Sequence, residues 1–465
     1  MNLMTHHTGT IILAAVFICS AATVYAERKR ENIEWIYTVC HAPGASDLPR
    51  VLLIGDSIAN MSQEFVSEDL SGTAYISTYT TSKCITDRSY LKELKLMLAG
   101  NNYALIQFNN GLHSLGVDLK QWELALSEVI KLLREDGKGA KIIWASSTPA
   151  ENPDNNRLVK ELNQIAARLM KENNIPINDL FGLMDPLDRK QYWTDNLHHT
   201  EEGRKLAATQ VATVIRENLG HRESGPGSDA VVSPGGPPGN KRAENMDWTR
   251  IFWYDAEKSG LPRVLVIGDS IYDDYQQLVN KALAGTAFLS TYSTNRSFAD
   301  PLYVKELEYI LNEYRYDVIL FNNGLHCNER NETDPMWKTV LSDIPGWEAG
   351  LRGVIKLIRD QGKGAKMIWA GSVPWNEANR PTEVKELQAA TARVMKENHI
   401  PMSDPYAAIH PGPQYNEQLT AQVTSTLCEQ LGINKPSEAS PGEAASSLLG
   451  PQGSISGKPQ SSPQP

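Results

Sequence analysis

Short apolar runs alternate along this chain with longer stretches whose apolar positions recur at helical spacing. Residues 51–54, 104–108 and 141–145 are brief and almost wholly apolar, which predicts strands. Residues 90–98, 122–134 and 158–173 between and after them predict helices, and residues 200–219 predict a closing helix with Gly220 as its stop. Strands alternating with helices of this length predict an α/β fold, a mostly parallel sheet covered on both faces. The same series returns at 264–267, 318–321 and 366–370.

The second series is a copy of the first. RVLLIGDSI ends at Ile58 and RVLVIGDSI at Ile271; FNNGLH begins at Phe108 and again at Phe321, at the same offset. GKGAK, then WASSTP or WAGSVP, then MKENNIP or MKENHIP follow in both. A repeat this long predicts duplicated domains, since solenoid units are far shorter. The expected organisation is a signal peptide at 1–26, a first domain at 27–220 and a linker at 221–243, with a second domain at 244–433 and a tail at 434–465. The linker and tail are rich in Gly, Pro and Ser, which predicts a flexible connection and a disordered end.

Composition narrows the role. Lys+Arg total 45 and Asp+Glu 55, a formal charge of -10, and no stretch gathers the basic residues that track phosphates, which argues against nucleic acid as partner. Residues 10–25 are largely apolar, and Val24-Tyr25-Ala26 offers a cleavage site before Glu27. A short membrane anchor is the alternative, but the apolar core is short for a span, so a secreted or periplasmic product is expected. Of the cysteines left after cleavage, Cys40 and Cys84 align with Trp253 and Ser297 of the second copy. A Cys40–Cys84 disulfide and two separate buried thiols both fit that paired loss. No pair is spaced as CxxC, so a zinc site is not expected.

The chemistry gathers at the first strand. An apolar run ending in Gly55-Asp56-Ser57 places a hydroxyl at the carboxyl edge of the sheet, near a helix N-terminus whose amides can stabilise an oxyanion. Asp56 or Ser57 acting only as a helix cap is the plain alternative. The best base is His198, in Trp193-Thr194-Asp195-Asn196-Leu197-His198-His199-Thr200, with Asp195 three residues earlier to fix its tautomer. His199 competes, and a His-His pair also raises a weak metal possibility.

GDSI, an Asn-rich strand end and DxxH near the end of the domain, in this order, resemble the SGNH, or GDSL-type, hydrolases. The resemblance covers nearly all of each copy. It implies a doubly wound, three-layer, flavodoxin-like esterase fold with Ser57 as nucleophile, His198 as base and Asp195 as its orienter. It implies no cofactor and no metal. The usual GxND block reads Phe108-Asn109-Asn110-Gly111-Leu112-His113 here, similar to a branch with FNxGLH. Asn109 is the expected oxyanion donor, with Asn110 second, and His113 a shaper of the pocket. A second-block glycine is missing from 77–84, so an N–H of Thr81 or Ser82 is expected in its place.

The second copy keeps Ser270, Asn322 and His326, but the approach to its histidine, His410, is much shorter and Ala407 stands where Asp195 does. Asp404 is a possible substitute. This copy is expected to be degenerate, with the insertion 328–347 as a lid, binding surface or inter-domain contact. The expected activity is hydrolysis of a small acyl ester, an O-acetyl group on a carbohydrate. Trp193, Tyr75 and Tyr79 are candidate sugar-facing rings. An extracellular lipase or thioesterase, and a non-catalytic glycan-binding protein on the same scaffold, are the alternatives.

Overall fold

The computed structural model describes residues 31–219 except 44 and 46, 246–322 except 299, 344–371, 381–403 and 414–433. The signal segment, linker and tail, most of the 328–347 insertion, and His326, Asp404 and His410 lie outside the described residues.

The first half runs β1 (Ile33–His41), β2 (Arg50–Gly55), α1 (Ser57–Asp69), β3 (Tyr75–Thr81), α2 (Tyr90–Gly100), β4 (Leu105–Phe108), α3 (Leu119–Asp136), β5 (Lys141–Ala145), α4 (Pro153–Glu172), β6 (Ile177–Asn178), α5 (Leu180–Met184), α6 (Arg189–Tyr192) and α7 (Glu201–Leu219). The second half repeats the plan with β7 (Met246–Tyr254), β8 (Arg263–Gly268), α8 (Ser270–Ala282), β9 (Phe288–Thr294), α9 (Pro301–Glu313), β10 (Val318–Phe321), α10 (Ile344–Gln361), β11 (Lys366–Ala370), α11 (Pro381–Glu397), β12 (Met402–Ser403) and α12 (Tyr415–Leu431).

Strands β3-β2-β4-β5-β6 are parallel, and the winding reverses at β2. Every residue of β2 is buried, which is why it reads as an unbroken apolar run: helices cover both of its faces. Helix α3 shows the matching pattern, burying Trp122, Leu126, Val129, Ile130 and Leu133 along one stripe and capping its start with the Asp118 carboxylate.

The aromatic lead-in, read only as an approach to the first domain, is strand β1. Its β-branched and aromatic residues suit a pleated strand. It runs antiparallel to β3 on one side and pairs antiparallel with β7 on the other, from Ile33↔Tyr254 to His41↔Met246. The pairing is centred on Tyr37↔Arg250, equivalent positions of the two copies, so the halves meet across a pseudo-twofold axis. All the described strands therefore form one twelve-stranded sheet. The β1–β7 pairing thus joins the two halves directly, in addition to the linker between them. One apolar core runs continuously under both halves, from Trp122 and Trp144 to Trp253 and Trp369. The opposite face carries two separate cores, one with Val51, Leu53 and Ala208, the other with Val264, Val266 and Leu419.

Cys40 and Cys84 are buried free thiols. Arg50 donates to Cys40 Sγ, whereas Cys84 Sγ lies 3.2 Å from Ser114 Oγ. Of the two readings of their shared loss, separate thiols is the one the structure has.

Candidate active site

Strand β2 ends at the point where the winding reverses, the place at which an open α/β sheet leaves a crevice. Gly55 is required there by close packing: a Cβ would stand 2.6 Å from Ala59 Cβ on the first turn of α1. Asp56 caps the helix, its carboxylate accepting from the Ile58 amide at 3.0 Å. With Asp56 as cap, Ser57 is the first helical residue, where its N–H has no partner within the helix.

The partner loop is held from several sides. Trp193 and His199 form an antiparallel bridge, and Thr194 N–H donates to the His198 carbonyl at 2.9 Å. Glu151 N–H donates to the Asn196 carbonyl, Asn152 N–H to Asn196 Oδ1, and Trp193 Nε1 to the Pro149 carbonyl. The WASSTP block and the residues after it thus brace the histidine loop, a role that its sequence did not announce. Asp195 Oδ1 accepts from the amides of Leu197 and His198, both at 2.8 Å. Its Oδ2 lies 2.8 Å from His198 Nδ1, and His198 Nε2 lies 2.9 Å from Ser57 Oγ. An ionised carboxylate can only accept, so the proton sits on Nδ1 and Nε2 faces the serine as an acceptor. Burial pushes the Asp195 carboxyl up, but the hydrogen bonds from the two amides and the imidazole outweigh it and hold the group below the usual carboxylate range.

His199 does not compete for this place. It is 2 % exposed, packs edge-on against Trp193 and has no hydrogen-bond partner at either ring nitrogen. Burial, then the neighbouring His198 and Arg189, lower its pKa to about 4. Among the described residues, no three His, Cys, Asp or Glu side chains gather as a metal site.

Asn109 is held within the protein in the absence of substrate. Its amide nitrogen donates to the Ala145 carbonyl at 2.7 Å and to Ser147 Oγ at 3.0 Å, while its Oδ1 accepts from Gly111 N–H. Both amide hydrogens are engaged, so the side chain stands as a clamp between the ends of β4 and β5, not as a free donor. Asn110 is 2 % exposed and faces the loop after β3, donating to the Lys83 carbonyl and accepting from Ile85 N–H. Ser82 N–H is engaged by the Trp35 carbonyl, which removes it as an oxyanion donor. His113 Nδ1 lies 2.6 Å from Glu31, with Trp35 edge-on beside it.

The rings expected to face sugar do not. Trp193 is buried, with Arg189 over its face at 4.2 Å. Tyr79 is buried and donates to Glu93, and Tyr75 sits at the opposite end of β3, bonded to Asp47. In the second half Ser270 begins α8, and the Asn322 amide donates to the Gly371 carbonyl at 2.8 Å. Trp347, the last residue of the insertion, is buried against Phe298 in its own half. A cavity of about 50 Å³ lies between α1 and α7, lined by Gly55, Asp56 and Asn109 but not by Ser57 or His198.

No family model matches the chain, and no curated protein matches it. Several solved structures are similar to part of it. The acetyl xylan esterase AlAXEase is 17% identical, with 36% of this chain and 99% of that one covered at a TM-score of 0.33. A lipase/acylhydrolase from Enterococcus faecalis is 16% identical over 37% of this chain and 96% of its own, with a TM-score of 0.30. A member of the lipolytic G-D-S-L family from Veillonella parvula is also 16% identical, over 36% and 97%, at 0.30.

Proposed function

We propose that the chain is two SGNH-type doubly wound domains fused into one sheet, and that the first is a serine ester hydrolase. The observation that carries this is the relay Ser57 Oγ to His198 Nε2 at 2.9 Å and His198 Nδ1 to Asp195 Oδ2 at 2.8 Å. Ser57 Oγ attacks the ester carbonyl as His198 Nε2 takes its proton. The tetrahedral oxyanion accepts from the Ser57 N–H and from Asn109, whose amide exchanges the Ser147 hydroxyl for the oxyanion. The imidazolium then returns the proton to the leaving alcohol. Water, deprotonated by the same histidine, attacks the acyl-enzyme and releases the acid. Asp195 stays ionised throughout, fixing the tautomer and stabilising the imidazolium.

The substrate reading is a small acyl ester, an O-acetyl group on a carbohydrate, met outside the cytoplasm. It rests on the sequence resemblance and on the signal-like N-terminus, with no support from the buried aromatic rings. The relay geometry opposes a purely glycan-binding role for the first half. Hydrolysis of p-nitrophenyl acetate, butyrate and octanoate and of an acetylated glycan tests the reading. Turnover that falls with acyl length and vanishes in Ser57→Ala supports it; preference for octanoate points to a lipase, and no turnover of any ester removes the enzyme reading.

A further inference from the structure

A buried lysine at the junction of the halves ties the second to the site of the first. Lys83 follows β3 closely, and its side chain is 1% exposed. Its Nζ lies 2.6 Å from Glu93, 2.7 Å from Ser89 Oγ and 3.9 Å from Glu34, all in the first half. The second half supplies Tyr309 OH at 2.8 Å, Glu313 Oε2 at 3.3 Å and the Trp253 ring, 4.7 Å from Nζ to its centroid. Tyr309 OH also donates to Glu93 Oε1 at 2.5 Å.

The backbone of the same residue belongs to the site. The Lys83 carbonyl accepts from the Asn110 amide at 2.7 Å, and the Ile85 N–H donates to Asn110 Oδ1 at 3.1 Å. Ser114 Oγ donates to the Asn110 carbonyl and touches Cys84 Sγ. Asn110 adjoins Asn109, whose N–H donates to the Ile54 carbonyl at 3.0 Å. A line of hydrogen bonds and chain links thus runs from α9 of the second half to the strand end that precedes Ser57.

Among the described residues, the mirror-related junction shows no such line. At the offset that relates Ser57 to Ser270, Lys83 becomes Arg296 and Glu93 becomes Glu306, but Trp253, Tyr309 and Glu313 correspond to Cys40, Leu96 and Gly100. Arg296 pairs with Asp247 at 3.4 Å, Asp300 at 2.9 Å and Glu306 at 3.6 Å, all of its own half. In place of a reach from the first half, a cavity of about 30 Å³ lies between Cys40, Leu96 and Gly100 on one side and Arg296, Leu302 and Glu306 on the other.

Resting on the ester-hydrolase reading of Ser57, we infer that the second half is a built-in positioning subunit: Tyr309 and Glu313 hold Lys83 and, through Asn110, fix the two loops that set the attack geometry at Ser57. Tyr309 and Glu313 are positioning residues, remote from the reacting atoms. A buried cation among several carboxylates is weak evidence for stability as such, because desolvation opposes the attraction. Its one-sided placement fits a supporting shell for a site that must be held to a fraction of an ångström.

The test uses the full chain carrying Tyr309→Phe and Glu313→Gln together, with exposed Glu308→Gln on the same helix as control. Two readouts are taken below the melting temperature: kcat and KM on a small acetate ester, and amide exchange over residues 82–85 and 109–112. The inference expects kcat about tenfold lower with KM within about twofold, faster exchange in both loops, and a control like wild type. Unchanged kcat and unchanged exchange in a folded double variant overturn it. Should the double variant not fold, Glu313→Gln alone, at a carboxylate 11% exposed, is judged by the same two readouts. Amide exchange needs no substrate: a wild type without turnover strikes the hydrolase reading, while exchange still decides whether the second half holds the loops.

Discussion

Asp195→Asn is the sharpest perturbation of the relay. Oδ1 of Asp195 is fixed by two amides at 2.8 Å, which leaves Oδ2 for the imidazole. Asparagine keeps the first set only by pointing its NH2 at His198 Nδ1. The ring must then be bare at Nδ1 and protonated at Nε2, which presents a donor to Ser57 and removes the base. Turning the amide over to recover the right tautomer breaks two backbone hydrogen bonds of about 1 kcal/mol each. A cost of about 2 kcal/mol leaves the competent form about thirtyfold depleted. Loss of the charge beside the imidazolium adds about another tenfold, less than in a dry site because the Asp195 side chain is 56% exposed. The expected result is a fall of about 300-fold in kcat/KM on a small acetate ester, with the melting temperature nearly unchanged. Asp195→Ala imposes no donor and lets water orient the ring, so it should retain more activity than Asp195→Asn. A loss below about tenfold in Asp195→Asn, or the reverse order of the two variants, would refute the tautomer argument.

Other outcomes follow from the same structure. Ser57→Ala should abolish ester turnover while Ser270→Ala changes it little, because Ala407 stands where Asp195 does in the first copy; equal losses would show a second working site. His199, lowered from 6.5 to about 4 by burial, binds its proton in the unfolded chain before the folded one. Stability should therefore rise with pH between those values, by at most about 1.4 kcal/mol per unit from this group. His199→Phe should flatten that slope in urea melts without losing any hydrogen bond, and an unchanged slope would deny the assignment. Gly55→Ala should destabilise the protein by about 1–3 kcal/mol and impair turnover, since its Cβ meets Ala59 Cβ at 2.6 Å. Adding Ala59→Gly should restore both, and failure to do so would place the requirement for glycine elsewhere.

Much of the sheet could be read from the chain because its parallel strands are buried on both faces. The runs at 51–54, 142–145 and 318–321 are apolar throughout and need no partner to be recognised. Strands β1 and β7 could not be recognised that way. Each is the other's neighbour, and a strand whose pairing comes from the other copy carries no local sign of it. At the site, Ser57, Asp195 and His198 lie at a strand end and in a pre-helix loop, where fold topology and spacing bring them together. The resting contacts of Asn109 could not be read, because its partners, Ala145 and Ser147, lie in a block whose repetition was visible but whose contacts were not. Lys83 and Tyr309 stand 226 positions apart, and no periodicity reaches that far.

Locating a covalent adduct tests the central claim most directly. The full chain is treated with a phosphonate ester that reacts only with an activated serine, then digested and mapped by mass spectrometry. One adduct at Ser57, absent in Ser57→Ala and formed far more slowly in His198→Ala, is the predicted result. No adduct on the folded protein, or one carried by Ser270 in place of Ser57, would contradict the account.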